Sequence, residues 1–338
     1  MSKKFTGDKM EEQVVLRAGE AVINRRKLLR RRRENAATVG SDSNWFKTML
    51  FVSPSAPLST LQKFTVRSAF IAYFASGLLC TAFPDIINFA FYSMKGTGRD
   101  IDYFRLNGVA LSQIGFFYIV TGKSHAKVAG NGAILGTVPE RLFFIPGALI
   151  WMYQQSMVPL LFATAFTALD ASFALITYII WYQNTPGASP LKCLKEIGDV
   201  MLPTFRPMRN WSSNCTQLIS YLQMAVSLAF AFKPEVARDL LGLEPFGEVS
   251  KGMIAVYFMS NIVIGWLQVL GAGNGSGSSP IAAVFYRLVW NVPLFAILFY
   301  FEAIERGFAV AVVVADSIGG LLIVLCLYKD SLQSKKMN

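Results

Sequence analysis

The chain has 338 residues, 53% of them hydrophobic, with a mean hydropathy of +0.42 and a net charge of +11 at pH 7. Apolar stretches of about 20 residues recur from residue 68 onward, and stretches of that length predict transmembrane helices, so a soluble fold is excluded. The single histidine, His125, and four cysteines without CxxC spacing exclude a zinc site of Cys and His, and also a haem or quinone site with paired histidines. We therefore expect neither a metal nor a cofactor.

Residues 1–66 predict a basic cytosolic tail that is partly disordered. Its basic run consists of Arg25, Arg26, Lys27, Arg30, Arg31, Arg32 and Arg33. A basic segment beside a membrane span binds anionic lipid head groups, at about 1 kcal/mol per residue near the surface. We expect this lipid contact, and an arginine-based retention signal of the endoplasmic reticulum is the alternative. Nucleic acid is not an expected partner.

Eight transmembrane helices are predicted, four on each side of one long linker. The predicted spans are 68–92, 103–122, 138–156, 158–182, 213–233, 250–271, 281–301 and 307–328. The chain then divides into a first four-helix membrane unit, a cytosolic linker, a second four-helix membrane unit and a C-terminal tail, at 67–183, 184–212, 213–329 and 330–338. The fold class is an all-α polytopic membrane protein.

A proline is expected to interrupt the first helix of each unit. The first span is expected to end at Phe83, because Pro84 stops or kinks a helix. Residues 85–93 would then form a short interfacial helix. Pro234 has the same place in the second unit.

The two membrane units predict an internal duplication. Arg141 and Asp170 in the first unit recur 146 residues later as Arg287 and Asp316. The segment from Ala82 to Asp85 (AFPD) corresponds to the segment from Phe232 to Glu235 (FKPE), and the third and seventh spans each contain a proline. Four spans is an even number, so both units enter from the same side, as in parallel repeats related by an axis along the membrane normal.

Lys and Arg are concentrated in the tail and the linker, so the positive-inside rule predicts that both termini are cytosolic. The outer loops are acidic, with Asp85, Asp100 and Glu235 among them. Three glycosylation sequons begin at Asn210, Asn214 and Asn274. This topology places all three in the cytosol, where we expect none to be modified.

The intramembrane charges Asp170, Arg141, Asp316 and Arg287 are the candidate site. An aspartate in an apolar run costs about 2.5–3.5 kcal/mol on insertion scales, so its presence needs a reason. The favoured interpretation is a structural Arg–Asp pair that joins the third and fourth helices of each unit. The alternatives are a path for protons or small ions between the repeats, or an aspartate that is simply protonated.

Polar side chains also occur in the second, fifth and sixth spans. They are Arg105, Asn107, Ser112, Gln113, Gln223, Ser260, Asn261 and Gln268. We expect most of them to form hydrogen bonds between helices, which contribute about 0.6 kcal/mol each on average. Lining of a cavity is the alternative.

Three short motifs resemble a known family. At Lys63 to Arg67 (KFTVR), Ala82 to Asp85 (AFPD) and Arg105 to Leu111 (RLNGVAL), the chain is similar to the animal p53-inducible protein 11 family, small four-span membrane proteins with a basic tail. The resemblance covers residues 60–183 well and 213–330 weakly. This chain departs from the family by its second four-span unit. The resemblance implies a regulatory protein of the endoplasmic reticulum or another endomembrane rather than the plasma membrane, and it supplies no catalytic residues.

The favoured function is therefore a non-enzymatic multi-pass endomembrane protein with a structural or regulatory role. No Ser–His or Cys–His arrangement favours an enzyme. The alternative is a transporter or channel for a proton or small cation that uses Asp170 and Asp316. The expected partners are the lipid bilayer, anionic head groups at the tail, and other membrane proteins.

Overall fold

A computed structural model describes residues 58–92, 99–123, 131–201, 210–275 and 278–337. Within these ranges the chain is helical and contains no strand. The helices in chain order are α1 (Thr60–Ala82), α2 (Pro84–Tyr92), α3 (Arg99–Lys123), α4 (Gly132–Gln154), α5 (Leu160–Asn184), α6 (Pro190–Met201), α7 (Trp211–Phe232), α8 (Pro234–Leu241), α9 (Glu248–Gly273), α10 (Ser278–Tyr300) and α11 (Arg306–Met337). The predicted lipid-binding run, Arg25 to Arg33, lies outside the described residues.

Seven of the described helices are long and apolar enough to cross a membrane, namely α1, α4, α5, α7, α9, α10 and α11. They correspond to seven of the eight predicted spans. The remaining predicted span, 103–122, lies in α3, which has 25 residues but a more polar composition. Most of α3 is buried among the other helices, so its polar side chains face protein rather than lipid.

Prolines separate the short helices α2 and α8 from the spans before them, as predicted. Phe83 has φ −129° and ψ 61°, and Lys233 has φ −135° and ψ 74°. A residue that precedes proline avoids the α conformation, because the proline ring would clash with it. In both places the helix ends at that residue, and a new helix begins with the proline at its first position.

Two helix ends differ from the sequence prediction. α1 begins at Thr60 rather than at residue 68, because Ser59 and Gln62 form a reciprocal capping box at its start. At the other end of the chain, α11 continues to Met337, through the segment predicted as a C-terminal tail.

The predicted linker 184–212 contains the helix α6. Its Cys193, Ile197 and Val200 form a buried stripe with the spacing of one helix face. The helix lies against the start of α4 and the end of α9, where only glycine fits. A Cβ added to Gly132 would lie 2.2 Å from the carbonyl oxygen of Glu196.

A π-helical segment interrupts both α4 and α10. These segments are Glu140–Phe144 and Phe285–Asn291, and each is followed closely by a proline, Pro146 or Pro293. Proline offers no N–H to the preceding turn, and a wider turn accommodates its ring. Each π segment contains the arginine of the candidate site. The wider turn therefore sets the direction of that arginine.

The ends of α4 and α10 also share an uncommon turn. Ser156 and Glu302 have φ values of 56° and 55°, the two non-glycine residues with positive φ in the described chain. Their backbone hydrogen bonds match as well, since Met157 donates to Met152 and Ala303 donates to Leu298. These turns send α5 and α11 back along the helices that precede them.

Helices α3 and α9 pack side by side through the core, which lies within one compact body, Phe46–Gln333. Near their first turns the hydroxyl of Ser250 donates to Asp100. Further along, Asn107 Nδ2 donates to the carbonyl oxygen of Met253 at 2.8 Å. Near their last turns a Cβ added to Gly271 would lie 3.9 Å from Thr121 Oγ1. The two helices are therefore parallel and in contact along their lengths.

A glycine lets the preceding span approach each of these two central helices. A Cβ added to Gly115 of α3 would lie 2.4 Å from the backbone nitrogen of Phe74 in α1. A Cβ added to Gly265 of α9 would lie 2.6 Å from the side chain of Met224 in α7. Close backbone approach through small residues is the usual way in which membrane helices pack.

Candidate functional site: two buried charge clusters

The four predicted charges are all buried. Arg141 and Asp170 are 1% and 3% exposed, and Arg287 and Asp316 are 4% and 6% exposed. Each arginine lies in the π segment of α4 or α10, and each aspartate lies in the helix that follows. The structure brings both predicted Arg–Asp pairs together, but it surrounds them differently.

The second cluster, which contains Asp316, is fully bonded at its carboxylate. Arg287 Nη1 donates to Asp316 Oδ1, and Asn291 Nδ2 donates to Asp316 Oδ2 at 2.6 Å. Arg287 Nη2 also donates to Gln223 Oε1 at 2.6 Å. Charge-assisted hydrogen bonds of this kind are about twice as strong as neutral ones. The cluster therefore joins α10 firmly to α11 and α7.

Polar side chains extend the second cluster to other helices. Gln113 Nε2 of α3 donates to Asn291 Oδ1 at 2.5 Å. Ser220 donates to Gln268 Oε1 at 2.9 Å, and Gln268 Oε1 also lies 3.5 Å from Arg287 Nη2. Three of the eight polar residues predicted to link helices, Gln113, Gln223 and Gln268, do so here, whereas Ser112, Ser260 and Asn261 donate to carbonyl oxygens of their own helices. The contact from Gln113 also connects the first membrane half to the second.

The first cluster, which contains Asp170, is looser. Arg141 Nε lies 3.8 Å from Asp170 Oδ1, which makes an ion pair without a hydrogen bond. That nitrogen donates instead to the hydroxyl of Tyr118 at 3.0 Å, and the guanidinium carbon lies 3.9 Å from the centroid of the same ring. The hydroxyl of Tyr73 donates to Asp170 Oδ1. Within the described chain, Asp170 Oδ2 has no partner.

Glu140 is a functional candidate that the sequence prediction missed. Its side chain is 5% exposed, and both carboxyl oxygens lie 3.0 Å from the Tyr118 hydroxyl. The first cluster therefore holds two carboxyl groups and one guanidinium. Tyr286 has the matching place in the second half. The signal was an acidic residue inside a predicted span, immediately before Arg141.

A cavity of about 90 Å³ borders the first cluster. Side chains of α1, α3, α4, α5 and α9 line it, and most of them are apolar. Asp170 and Tyr73 contribute to its wall, and so does Asn107, whose buried Oδ1 has no hydrogen-bond partner. Of the polar span residues named from the sequence, Asn107 and Ser260 line this cavity, as the alternative to hydrogen bonding between helices predicted. A space of this size holds on the order of six water molecules.

No family model, no curated protein and no solved structure matches the chain. The resemblance to the p53-inducible protein 11 family therefore rests on its three short motifs.

Proposed function

We propose that the chain is a non-enzymatic multi-pass membrane protein with a structural or regulatory role, in which buried Arg–Asp pairs hold the helices of each half together. The observation that carries this proposal is the bonding of Asp316. Both of its oxygens accept hydrogen bonds from protein side chains, Arg287 and Asn291. A carboxylate with no free oxygen offers an ion no position at which to bind, whereas it stabilises the helices that supply its donors.

Eight spans in two tandem four-helix units are part of this proposal. The break before proline recurs at Phe83 and Lys233, and the positive-φ turn recurs at Ser156 and Glu302. The parallel contact of α3 with α9 supports a pseudo-twofold axis between them, along the membrane normal. Because α3 would lie beside that axis, surrounded by other helices rather than by lipid, its polar composition does not exclude it as a span.

We further propose that the protein resides in the endoplasmic reticulum or another endomembrane, with both termini cytosolic. The basic run from Arg25 to Arg33 supports a contact with anionic lipid, and the distribution of Lys and Arg supports the orientation. The resemblance to the p53-inducible protein 11 family favours a regulatory role.

A second candidate function is the passage of a proton or small cation. The observation that favours it is the cavity beside Asp170, whose Oδ2 lacks a partner in the described chain. Intramembrane carboxylates on ion pathways border such spaces. Asp316 does not support this candidate, because its oxygens are occupied.

Reconstitution into vesicles separates the two candidates. Purified protein is incorporated into vesicles that contain a pH-sensitive dye, and proton, sodium and potassium gradients are applied in turn. We expect no flux above that of protein-free vesicles. Flux that is present in the intact protein and absent in Asp170→Asn, a variant of nearly the same shape, would overturn the structural proposal in favour of transport.

A further inference from the structure

The first cluster holds one more acidic group than basic groups. Glu140 and Asp170 are two carboxyl groups beside the single guanidinium of Arg141. In the second half, Tyr286 replaces the glutamate, and Arg287 and Asp316 balance each other. A buried charge without a counter-charge is expensive. A buried carboxyl group can be balanced either by a bound proton or by a cation, and a monovalent cation at the first cluster would allow both of its carboxyl groups to be ionised.

Asp170 lines the space where such a cation fits, and its Oδ2 has no partner within the described chain. Asp170 borders the cavity, and its Oδ1 takes both of its contacts with Tyr73 and Arg141. On α3 the cavity extends from Phe104 to Ile114, a distance of about 15 Å along a helix. The space is therefore elongated, with a carboxylate in its wall.

The lining identifies the chemistry of the ligand. It is mainly aliphatic and aromatic, with the rings of Phe104, Phe162, Phe166 and Tyr73 among its members. A small inorganic cation needs several oxygen ligands in place of its water, and this wall offers few. An organic ammonium ion needs only one carboxylate for its charge, aromatic faces attract it, and its apolar body matches the aliphatic surface.

The second half shows how one residue closes this arrangement. Asn291 donates to Asp316 Oδ2. Ile145 has the matching place in the first half, 146 residues earlier, and it lines the cavity beside Asp170. Isoleucine has no hydrogen-bond donor. The difference between Asn291 and Ile145 therefore leaves one aspartate with an unoccupied oxygen and the other with none.

We propose that the cavity beside Asp170 is a binding site for a small organic ammonium ion with an apolar body. The ammonium group pairs with Asp170 Oδ2, and the body lies along α3 toward Asn107. This binding goes beyond the structural role proposed above, and the observation that carries that role, the bonding of Asp316, does not depend on it.

Equilibrium binding to the purified full-length protein in lipid nanodiscs tests the site. The probe is radiolabelled benzylammonium at neutral pH, and benzyl alcohol is the uncharged competitor of nearly the same shape. We expect saturable binding of one ammonium per chain, and competition by benzyl alcohol at least about tenfold weaker, because the alcohol cannot pair with the carboxylate.

Two variants locate the site. Ile145→Asn supplies the donor that Asn291 supplies in the second half, so it should weaken binding by about tenfold or more. Ile145→Leu is its matched control, because it keeps the volume without adding a donor; it measures the effect of a change of shape alone, which should be well below the effect of Ile145→Asn. Asp170→Asn removes the charge and should abolish binding. Each variant is first shown to be monodisperse and to unfold cooperatively.

The wild-type measurement decides the outcome even if a variant does not fold. Equal affinity for the ammonium ion and the alcohol would overturn the proposal, as would the absence of saturable binding. Full affinity in Ile145→Asn or in Asp170→Asn would place the ligand elsewhere. Proton uptake at the site without any ammonium binding would assign Asp170 to a proton instead.

Discussion

Removal of the Asp316 carboxylate should destabilise the protein more than removal of the Asp170 carboxylate. Asp316→Ala leaves the guanidinium of Arg287 buried, with only neutral partners, Gln223 and Gln268. It also leaves the amide of Asn291 without its acceptor. Breaking a buried pair by removing one partner costs about 3–5 kcal/mol, because the other charge remains without compensation. We expect a decrease of that size in the free energy of unfolding.

The first cluster provides the comparison. Asp170→Ala removes an ion pair of 3.8 Å and one hydrogen bond from Tyr73. Arg141 keeps its bond to Tyr118, whose hydroxyl contacts the Glu140 carboxyl, so an acidic group remains nearby. The expected loss is about 1–3 kcal/mol. The double variant Arg287→Met with Asp316→Leu should recover most of the loss of Asp316→Ala, since apolar residues of similar volume leave no unpaired charge.

Reversible unfolding in mixed micelles with an increasing fraction of denaturing detergent measures these differences. Far-ultraviolet circular dichroism and tryptophan fluorescence should report the same transition for every variant. A loss below about 1 kcal/mol for Asp316→Ala, or a larger loss for Asp170→Ala, would contradict the assignment of the second cluster as the structural one.

Two further predictions concern the orientation of the chain and the linker helix α6. If both termini are cytosolic, Asn210 and Asn214 carry no glycan, and glycosidase treatment leaves the mass of the protein from microsomes unchanged. A mass shift that disappears in the double variant Asn210→Gln with Asn214→Gln would show that the orientation is the opposite one. Burial raises the pKa of the Cys193 thiol in α6, and the Glu196 carboxylate adds to the rise. The thiolate is therefore scarce near neutral pH, and iodoacetamide should modify Cys193 in the protein more slowly than the same cysteine in an unfolded peptide of that sequence. The rate should increase only when the pH rises above the ordinary pKa range of thiols. Mass spectrometry over a pH series measures the rate, and equal rates in protein and peptide would show that α6 does not bury the thiol.

The spans and the charged pairs were predictable from sequence because their signals are strong. Charged residues in apolar runs are rare and costly, so Arg141, Asp170, Arg287 and Asp316 stand out without any structure. The proline breaks at Phe83 and Lys233 follow from backbone sterics alone. Each of these signals is local in the sequence, so the prediction made from it does not depend on which helices pack around it.

The partners of the charges were not predictable, because they resemble ordinary span residues. Tyr73 and Gln223 lie 150 residues apart and contact the first and second clusters, respectively. Residues of α1 and α3 correspond to residues 150 positions later in α7 and α9, whereas residues of α4 and α5 correspond to residues 146 positions later in α10 and α11. A search at the single offset of 146 therefore pairs the charged residues but misses their partners.

The linker helix α6 was missed for a related reason. Its segment is bordered by Gly187 and Pro190 and contains charged residues, which is typical of a loop. Its buried stripe of Cys193, Ile197 and Val200 is short, and a short stripe carries little weight until the ends of α4 and α9 supply a surface for it. Tertiary packing, rather than intrinsic propensity, explains this helix.

The two clusters differ in a way that assigns a different task to each half. Asn291 is bonded to Asp316 within its half and to Gln113 across to α3 of the other half, so the second cluster stabilises both the unit and the contact between units. Ile145, in the matching place, makes neither bond, and a cavity lies beside it. Because the second cluster and the contacts of Asn107 and Ser250 already provide polar contacts between α3 and the later helices, the first cluster can keep an unpaired oxygen and an open space without loss of the bundle. In the proposed arrangement, the side chain at this position distinguishes the aspartate that stabilises the fold, beside Asn291, from the aspartate that is available to a ligand, beside Ile145.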